Sequence, residues 1–299
     1  MDKRNLPNLI IIGAMKAGTT SLHYYLNLHP EISMSRQKEL NFFVEEKNWY
    51  RGIEWYKSQF VGQAKIHGES SPNYTKYPVY SGVPQKMFSV IPETKLIYIV
   101  RNPIERIISH YMHSYAEKRE NRSFEAALAE LNHNLYVMRS QYFWQLEQYL
   151  ELFSTSNILI ITSEELLNFP QKTMESIFLF LGVETKIEFK LNLENIANAL
   201  RMGKPIINSR FKFDKKMHLS SDKRRVKNAL IIKQLSKFTQ LLTPEVRYHV
   251  EKIYYPLSQK IERPIINESL RERLLEYLAE DISRLKEYTG CSFQEWNLE

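Results

Sequence analysis

The chain of 299 residues contains a single cysteine, Cys291, so no disulfide can close within it. That favours a reducing compartment or indifference to redox state. No apolar run approaches the roughly 18 residues needed to cross a bilayer. The first residues, MDKRNLPN, lead straight into an apolar stretch and lack the charged, apolar, small-residue order of a secretory leader. The expectation is a soluble, cytosolic protein. Internal repeats and low-complexity linkers are also missing, which leads to the expectation of one domain over residues 1–299. The excess of basic over acidic residues, 41 against 34, gives a net charge of +7. Spread over a chain of this length it is a mild pointer to anionic ligands, and a solvated basic face accounts for it equally well.

What is present centres on Leu9–Ser21, LIIIGAMKAGTTS. Leu9–Ile12 is an apolar, mostly β-branched run and reads as a buried strand. Gly13 and Gly18 bound a tight turn that contains Lys16 and Ala17, and Thr19, Thr20 and Ser21 open a helical stretch that stops at His29-Pro30. A strand, a glycine-bounded loop and a helix start form a phosphate cradle. Backbone N–H groups and the positive end of the helix dipole converge there on one anion.

Further strands are expected at Lys65–Glu69, Lys95–Val100 and Asn157–Thr162. Between and after them, helices are expected at Trp49–Phe60, from Pro103, after Ser123, at Ser140–Phe153, from Ser163 to Gly182 with a restart at Pro170, at Asp222–Leu242, Pro244–Ile261 and Asn267–Tyr288. The segment Glu31–Phe43 reads as a loop ending in the apolar anchor Phe42-Phe43, and Asn195–Lys216 as irregular and basic. Strands alternating with helices predict an α/β fold: a P-loop-like central parallel sheet flanked by helices on both faces, with a helical C-terminal part. Ligands in such sheets sit at the C-terminal strand ends, so the loops after Ile12, Ile66 and Val100 should face one cleft.

The loop differs from the nucleoside-triphosphate pattern G-x-x-x-x-G-K-[ST], because its lysine is Lys16 and Thr19 occupies the usual lysine position. No aspartate follows the other core strands, which end in Arg101 and Thr162, so a magnesium-dependent kinase or NTPase is disfavoured. At the second strand end, Arg101 offers a planar guanidinium for bidentate phosphate binding, and Ser109 lies on the helix behind Pro103. Two anion stations on adjacent strands fit a ligand with two separated phosphates. Glu69, at the end of another strand, is a candidate general base. His67 and His110 are rivals for that role, and an ion pair of Glu69 with Lys16 or Lys38 is the structural alternative. If 65–69 is a strand, His67 and Glu69 share a face.

These motifs together resemble sulfotransferases that use 3′-phosphoadenosine 5′-phosphosulfate (PAPS). KAGTTSLHYYLNLHP is similar to their 5′-phosphosulfate loop, and LIYIVRNPIERIISHY to their 3′-phosphate motif, with arginine and serine eight residues apart. QKELNFF resembles their K-E-x-x-F-F loop, with Asn41 where histidine is frequent. GESSPNY resembles G-E-K-[ST]-P-x-Y of the heparan-type branch, with Ser70 in place of lysine, and the end from Leu274 to Trp296 resembles that of many bacterial members. The resemblance implies that the loop Lys16, Ala17, Gly18, Thr19, Thr20 and Ser21 holds the 5′-phosphosulfate, with Lys16 meeting the charge that grows on the leaving oxygen. It implies that Arg101 and Ser109 hold the 3′-phosphate, that Glu69 is the base, and that Lys38 approaches the sulfuryl group or the acceptor. A basic loop containing Arg201, Lys204 and Arg210 would close on the nucleotide.

The resulting expectation is a PAPS-dependent sulfotransferase releasing adenosine 3′,5′-bisphosphate (PAP), with no metal requirement. Its acceptor would be a hydroxyl, with an amine left open, on a small molecule, lipid or carrier-bound chain. Neither nucleic acid nor a membrane span is expected, and a bacterial cytosolic enzyme fits best. The rivals are a magnesium-dependent P-loop kinase or NTPase and a non-catalytic nucleotide- or anion-binding module.

Overall fold

The structure, a computed structural model, describes residues 6–185, 225–226, 259–260 and 262–298. The expected helices at 222–242 and 244–261, and the basic residues Arg201, Lys204 and Arg210, lie outside the described residues.

Five strands form one parallel sheet: β1 (Leu9–Gly13), β2 (Ile32–Met34), β3 (Ile66–Ser70), β4 (Lys95–Val100) and β5 (Ile158–Thr162), in the order β2-β3-β1-β4-β5. β1 is central because all five of its residues are apolar or glycine and buried, as a strand covered on both faces requires. Side chains alternate between two cores. Ile10, Ile12, Leu96, Tyr98 and Val100 join Phe42, Phe43, Tyr56, Tyr74 and Tyr142 on one face. Leu9, Ile11, Ile97 and Ile99 join Leu22 and Leu26 of α1 (Thr19–Leu26) and the apolar face of the Pro170–Leu181 helix on the other. A third core packs Ile104, Ile107 and Ile108 of the Pro103–Ala116 helix against Leu270, Leu274 and Leu278 of the long C-terminal helix, Glu268–Thr289. The α/β architecture with a P-loop-like parallel sheet and a helical C-terminal part is therefore present.

The local differences from expectation are small and have physical causes. The segment 31–43 is not all loop: Ile32–Met34 adds the edge strand β2, three residues long and too short to show alternation in sequence. β3 runs one residue further than Lys65–Glu69, because Ser70 pairs in register with Ile11. The 49–60 stretch splits into a 3₁₀ turn, Trp49–Arg51, and a helix, Gly52–Lys57, at a glycine with φ 75°. The helix after Ser123 is only Phe124–Ala127.

Parallel order aligns the C-terminal ends of β3, β1 and β4 along one edge; the loops after β1 and Val100 lie there as expected, but the third follows Ser70, because Ile66 opens β3 instead of ending it. The 72–77 segment crosses that edge. Thr75 donates its hydroxyl to the carbonyl of Ile12, and a Cβ on Gly13 would lie 2.0 Å from Thr75 Oγ1 and 3.1 Å from a Tyr98 ring carbon. Only glycine allows β1 to end under this crossing.

Candidate functional site

The loop after β1 begins with Ala14, whose N–H is bonded to Ile99 O (2.6 Å), and turns through Lys16 at φ 75°. A lysine in the left-handed region is uncommon and marks a loop shaped by its surroundings. On the far side, Ser163 at the end of β5 donates its hydroxyl to the Ala17 carbonyl. Gly18, with φ 102°, is the N-cap of α1, and no side chain caps that helix. The first-turn amides at Thr19, Thr20 and Ser21 therefore lack a side-chain acceptor, and Lys16, Thr20 and Ser21 retain solvent exposure around them. Helix-start amides, hydroxyls and an ammonium form a donor set suited to phosphate or sulfuryl oxygens.

At the end of β4, Arg101 is held on both sides. Its carbonyl accepts from Tyr142 Oη at 2.7 Å, and its guanidinium, 24% exposed, meets Glu105 at 3.1 Å. Glu105 also pairs with Arg263. Asn102 caps the Pro103–Ala116 helix by accepting from the amides of Ile104 (3.0 Å) and Glu105 (3.1 Å). The same residue reaches the C-terminal segment by donating to Trp296 O at 2.5 Å. Glu164 completes the joint, accepting from the Asn102 amide at 3.0 Å and from the Trp296 indole at 3.3 Å. The C-terminal tryptophan thus braces the start of the helix that carries Ser109, itself nearly buried. A cavity of about 340 Å³ opens beside this helix, lined by Glu105, Ile108, Arg263 and Arg271 among others.

Glu69 pairs in register with Ile10, so strand alternation turns it into the aromatic core face. It is fully buried. Tyr56 Oη and Tyr74 Oη each donate to Oε1 at 2.7 Å, and Ser71 Oγ donates to Oε2 at 2.8 Å. Burial pushes the Glu69 pKa up, and these hydroxyls pull it partly back. Glu69 makes no ion pair with Lys16 or Lys38, so that structural alternative falls away. Lys38 pairs instead with its neighbour Glu39 at 2.8 Å. It also lies near His23 on α1, whose pKa is driven down to about 4 by burial first and by the Lys38 charge second. The Lys38 charge thus acts on the helix that follows the β1 loop.

His67 does share the Glu69 face: its ring packs on Phe60, which packs on Tyr56. Burial lowers its pKa. His110 is on another element, buried in the Pro103–Ala116 helix, with Nε2 2.9 Å from Arg139 Nη1. Burial and then Arg106 and Arg139 hold its pKa well below the ordinary value.

Within the expected Trp49–Phe60 helix the sequence assigns Tyr56 no polar role, and it singles out none of Arg106, Arg139 and Lys76. Tyr74 and Ser71 did lie inside the quoted GESSPNY stretch, which was the available signal. The buried cations carry no local signal, because their burial depends on contacts across the chain.

A parallel α/β sheet with a glycine-bounded loop after its central strand, an arginine after the neighbouring strand and a buried acid at the end of a third defines a P-loop-like α/β fold. The sulfotransferase domain family model matches residues 6–263, and the chain belongs to that family. It is 29% identical over 209 residues to the human bifunctional heparan sulfate N-deacetylase/N-sulfotransferase 2, a match covering 63% of this chain and 23% of that protein. Over 196 residues it is 31% identical to the mouse heparan sulfate glucosamine 3-O-sulfotransferase 5, covering 62% of this chain and 56% of the relative. The chain thus spans from under a quarter to little more than half the length of these relatives. The crystal structure of a sulfotransferase from Alicyclobacillus acidocaldarius shares the fold, with a TM-score of 0.67 at 24% identity over 98% of this chain and 99% of the other.

Proposed function

We propose that this protein transfers the sulfuryl group of PAPS in line to a hydroxyl or amine of an acceptor and releases PAP. The observation that carries the reading is the pairing of an uncapped helix start behind Lys16 with a guanidinium station at Arg101 on the adjacent strand. PAPS carries a phosphosulfate and a separate 3′-phosphate, and the two stations fit those two groups. Lys16 and the 17–21 amides and hydroxyls would hold the phosphosulfate, and Arg101 and Ser109 the 3′-phosphate. PAPS supplies an activated sulfuryl group, and the protein positions groups and stabilises charge.

Glu69 accepts the acceptor proton in this reading. With both carboxylate oxygens already receiving hydroxyl donors, the proton arrives either after one donor moves aside or through Ser71 Oγ. That hydroxyl donates to Glu69 and accepts from the Asn41 amide at 3.0 Å. Lys38, mostly buried and paired with Glu39, would approach the sulfuryl group in this reading. The names of the relatives include both N- and O-sulfotransferases, so the acceptor atom stays open between nitrogen and oxygen. A cytosolic site of action and a small-molecule, lipid or carrier-bound acceptor are part of the same proposal.

Calorimetric titration tests the donor. PAP is expected to bind and ATP to bind far more weakly, and Arg101→Ala should weaken PAP binding roughly tenfold to a hundredfold through loss of a charge-assisted contact. Tight ATP binding without PAP binding would overturn the reading in favour of a kinase or NTPase.

A further inference from the structure

Three cations, one fully buried and two partly so, lie near the C-terminal strand edge, and among the described residues none of them pairs with a carboxylate. Arg106, fully buried, gives Nε to Ser140 Oγ at 2.5 Å and Nη2 to the Tyr136 carbonyl, while its Nη1 has no partner. Among the described residues Arg139 meets only His110 through Nη1, and its buried Nε is unpartnered. Among the described residues Lys76 meets only the amide oxygen of Asn73. Arg139 contacts His110, Arg106 lies one turn before it on the same helix, and Gln145 ties the backbone of Tyr77, next to Lys76, to the carbonyl of Met138, next to Arg139; His110 is itself buried with an unpartnered Nδ1, and all three charges act on it.

Such an arrangement is costly without an anion. Removing a cation from water costs several kcal/mol unless a counter-charge or hydrogen bonds replace the hydration. Here the cations repel one another instead. Lys76 is pushed down to about 7 by burial first and Arg139 second, with Lys47 and Arg119 adding to this and Glu39 opposing it. Arg139 and Arg106 are each lowered to about 10, mainly by burial. Arg139 and Lys76 keep partial exposure, so the cluster opens outward at these two.

The cluster is also wired to the proposed base. Lys76 donates to Asn73 Oδ1, Asn73 Nδ2 donates to the Asn41 side-chain Oδ1 at 2.8 Å, and the Asn41 backbone N–H donates to Ser71 Oγ, which donates to Glu69. Lys76 follows Thr75, which lies over the end of β1. A group bound at Lys76 is therefore close to the reacting edge and distinct from the stations at Lys16 and Arg101.

We propose that Lys76 and Arg139, with Arg106 behind them, hold an oxyanion carried by the acceptor, so that the protein selects acceptors bearing a carboxylate, phosphate or sulfate near the group to be sulfated. This rests on the sulfotransferase reading above and narrows its substrate class.

The test uses the full chain saturated with PAP, so that both donor stations are filled, and separately the ligand-free chain. Sodium sulfate, sodium phosphate and sodium acetate are titrated against sodium chloride at matched ionic strength, and thermal stability is followed. At least one oxyanion should protect beyond chloride in the PAP-loaded protein, and the order of the three identifies the preferred group. Lys76→Gln with Arg139→Gln should weaken that protection at least tenfold while PAP affinity by calorimetry stays unchanged. The charge-preserving Lys76→Arg should retain it and controls for misfolding. Absence of oxyanion protection in the parent, or its full persistence in the double variant, overturns the proposal. If PAP itself fails to bind, the donor reading fails, and the ligand-free titration with the same variants still decides the oxyanion site.

Discussion

Glu69 and Arg106 are equally buried, yet their surroundings differ. The carboxylate receives three hydroxyl donors, from Tyr56, Tyr74 and Ser71, all on elements that pack around the end of β3. The guanidinium has two acceptors, a serine hydroxyl and a carbonyl, one empty nitrogen and two further cations nearby. Hydrogen bonds from neutral donors can hold a charge in place while leaving its proton affinity adjustable. A cation left short of acceptors is instead suited to an anion that comes and goes. The acid region is thus complete within the fold, and the cationic region is completed by a ligand.

The largest expected effect that breaks or supports this contrast is on turnover. Glu69→Gln should lower kcat by roughly a hundredfold or more with PAP affinity near normal, as removal of a general base does. An unchanged rate would pass the role to His67 or His110. The same variant carries a pH signature. Because burial places the folded-state pKa above the ordinary glutamate value, the protonated acid contributes stability below that ordinary value. This contribution is lost as pH rises through the raised pKa. Urea unfolding across acidic to neutral pH should show a slope in the parent that is flattened in Glu69→Gln.

A smaller effect is expected from Tyr74→Phe. It removes one of the two donors on Oε1 and should cost about 1–3 kcal/mol in unfolding free energy. With less stabilisation of the charged form, the Glu69 pKa rises further, so the acidic limb of the kcat profile should move to higher pH. A profile that stays in place would mean that Tyr56 and Ser71 alone set the proton affinity.

The smallest effect is expected at the cation. Arg106→Met replaces an uncompensated charge by an apolar chain of similar length. Its unfolding free energy without ligand should lie within about 1 kcal/mol of the parent, or above it. A loss of more than about 3 kcal/mol would show that the fold itself compensates the guanidinium and would erase the contrast with Glu69.

The legible parts of the chain were those with local signals. Lys95–Val100 is a strand to the residue, because five apolar or β-forming residues, Leu96–Val100, follow Lys95 and lie between turn residues. The Pro103 helix start, the Ser123 cap and the Gly182 stop follow local rules and occur where those rules put them. The C-terminal helix was readable because 22 residues repeat an apolar stripe between Asn267, which caps it, and Gly290 in the left-handed region. By contrast, β2 has only three residues, and the Val83–Val90 helix, opening on Val83-Pro84, showed no pattern strong enough to be read.

The sequence by itself determined the glycine-bounded loop after β1, the Arg101 and Ser109 spacing and the parallel α/β class, because each depends on residues close together along the chain. Tertiary structure alone decided which groups meet Glu69 and which do not meet Arg106. Tyr56 reaches Glu69 from 13 residues away on another element. Lys76, Arg106, His110 and Arg139 come together only once the 72–77 crossing, the Pro103–Ala116 helix and the 135–140 turn pack against one sheet edge. Proton affinity and charge compensation depend on burial and on distant partners, and neither is fixed until the chain has folded.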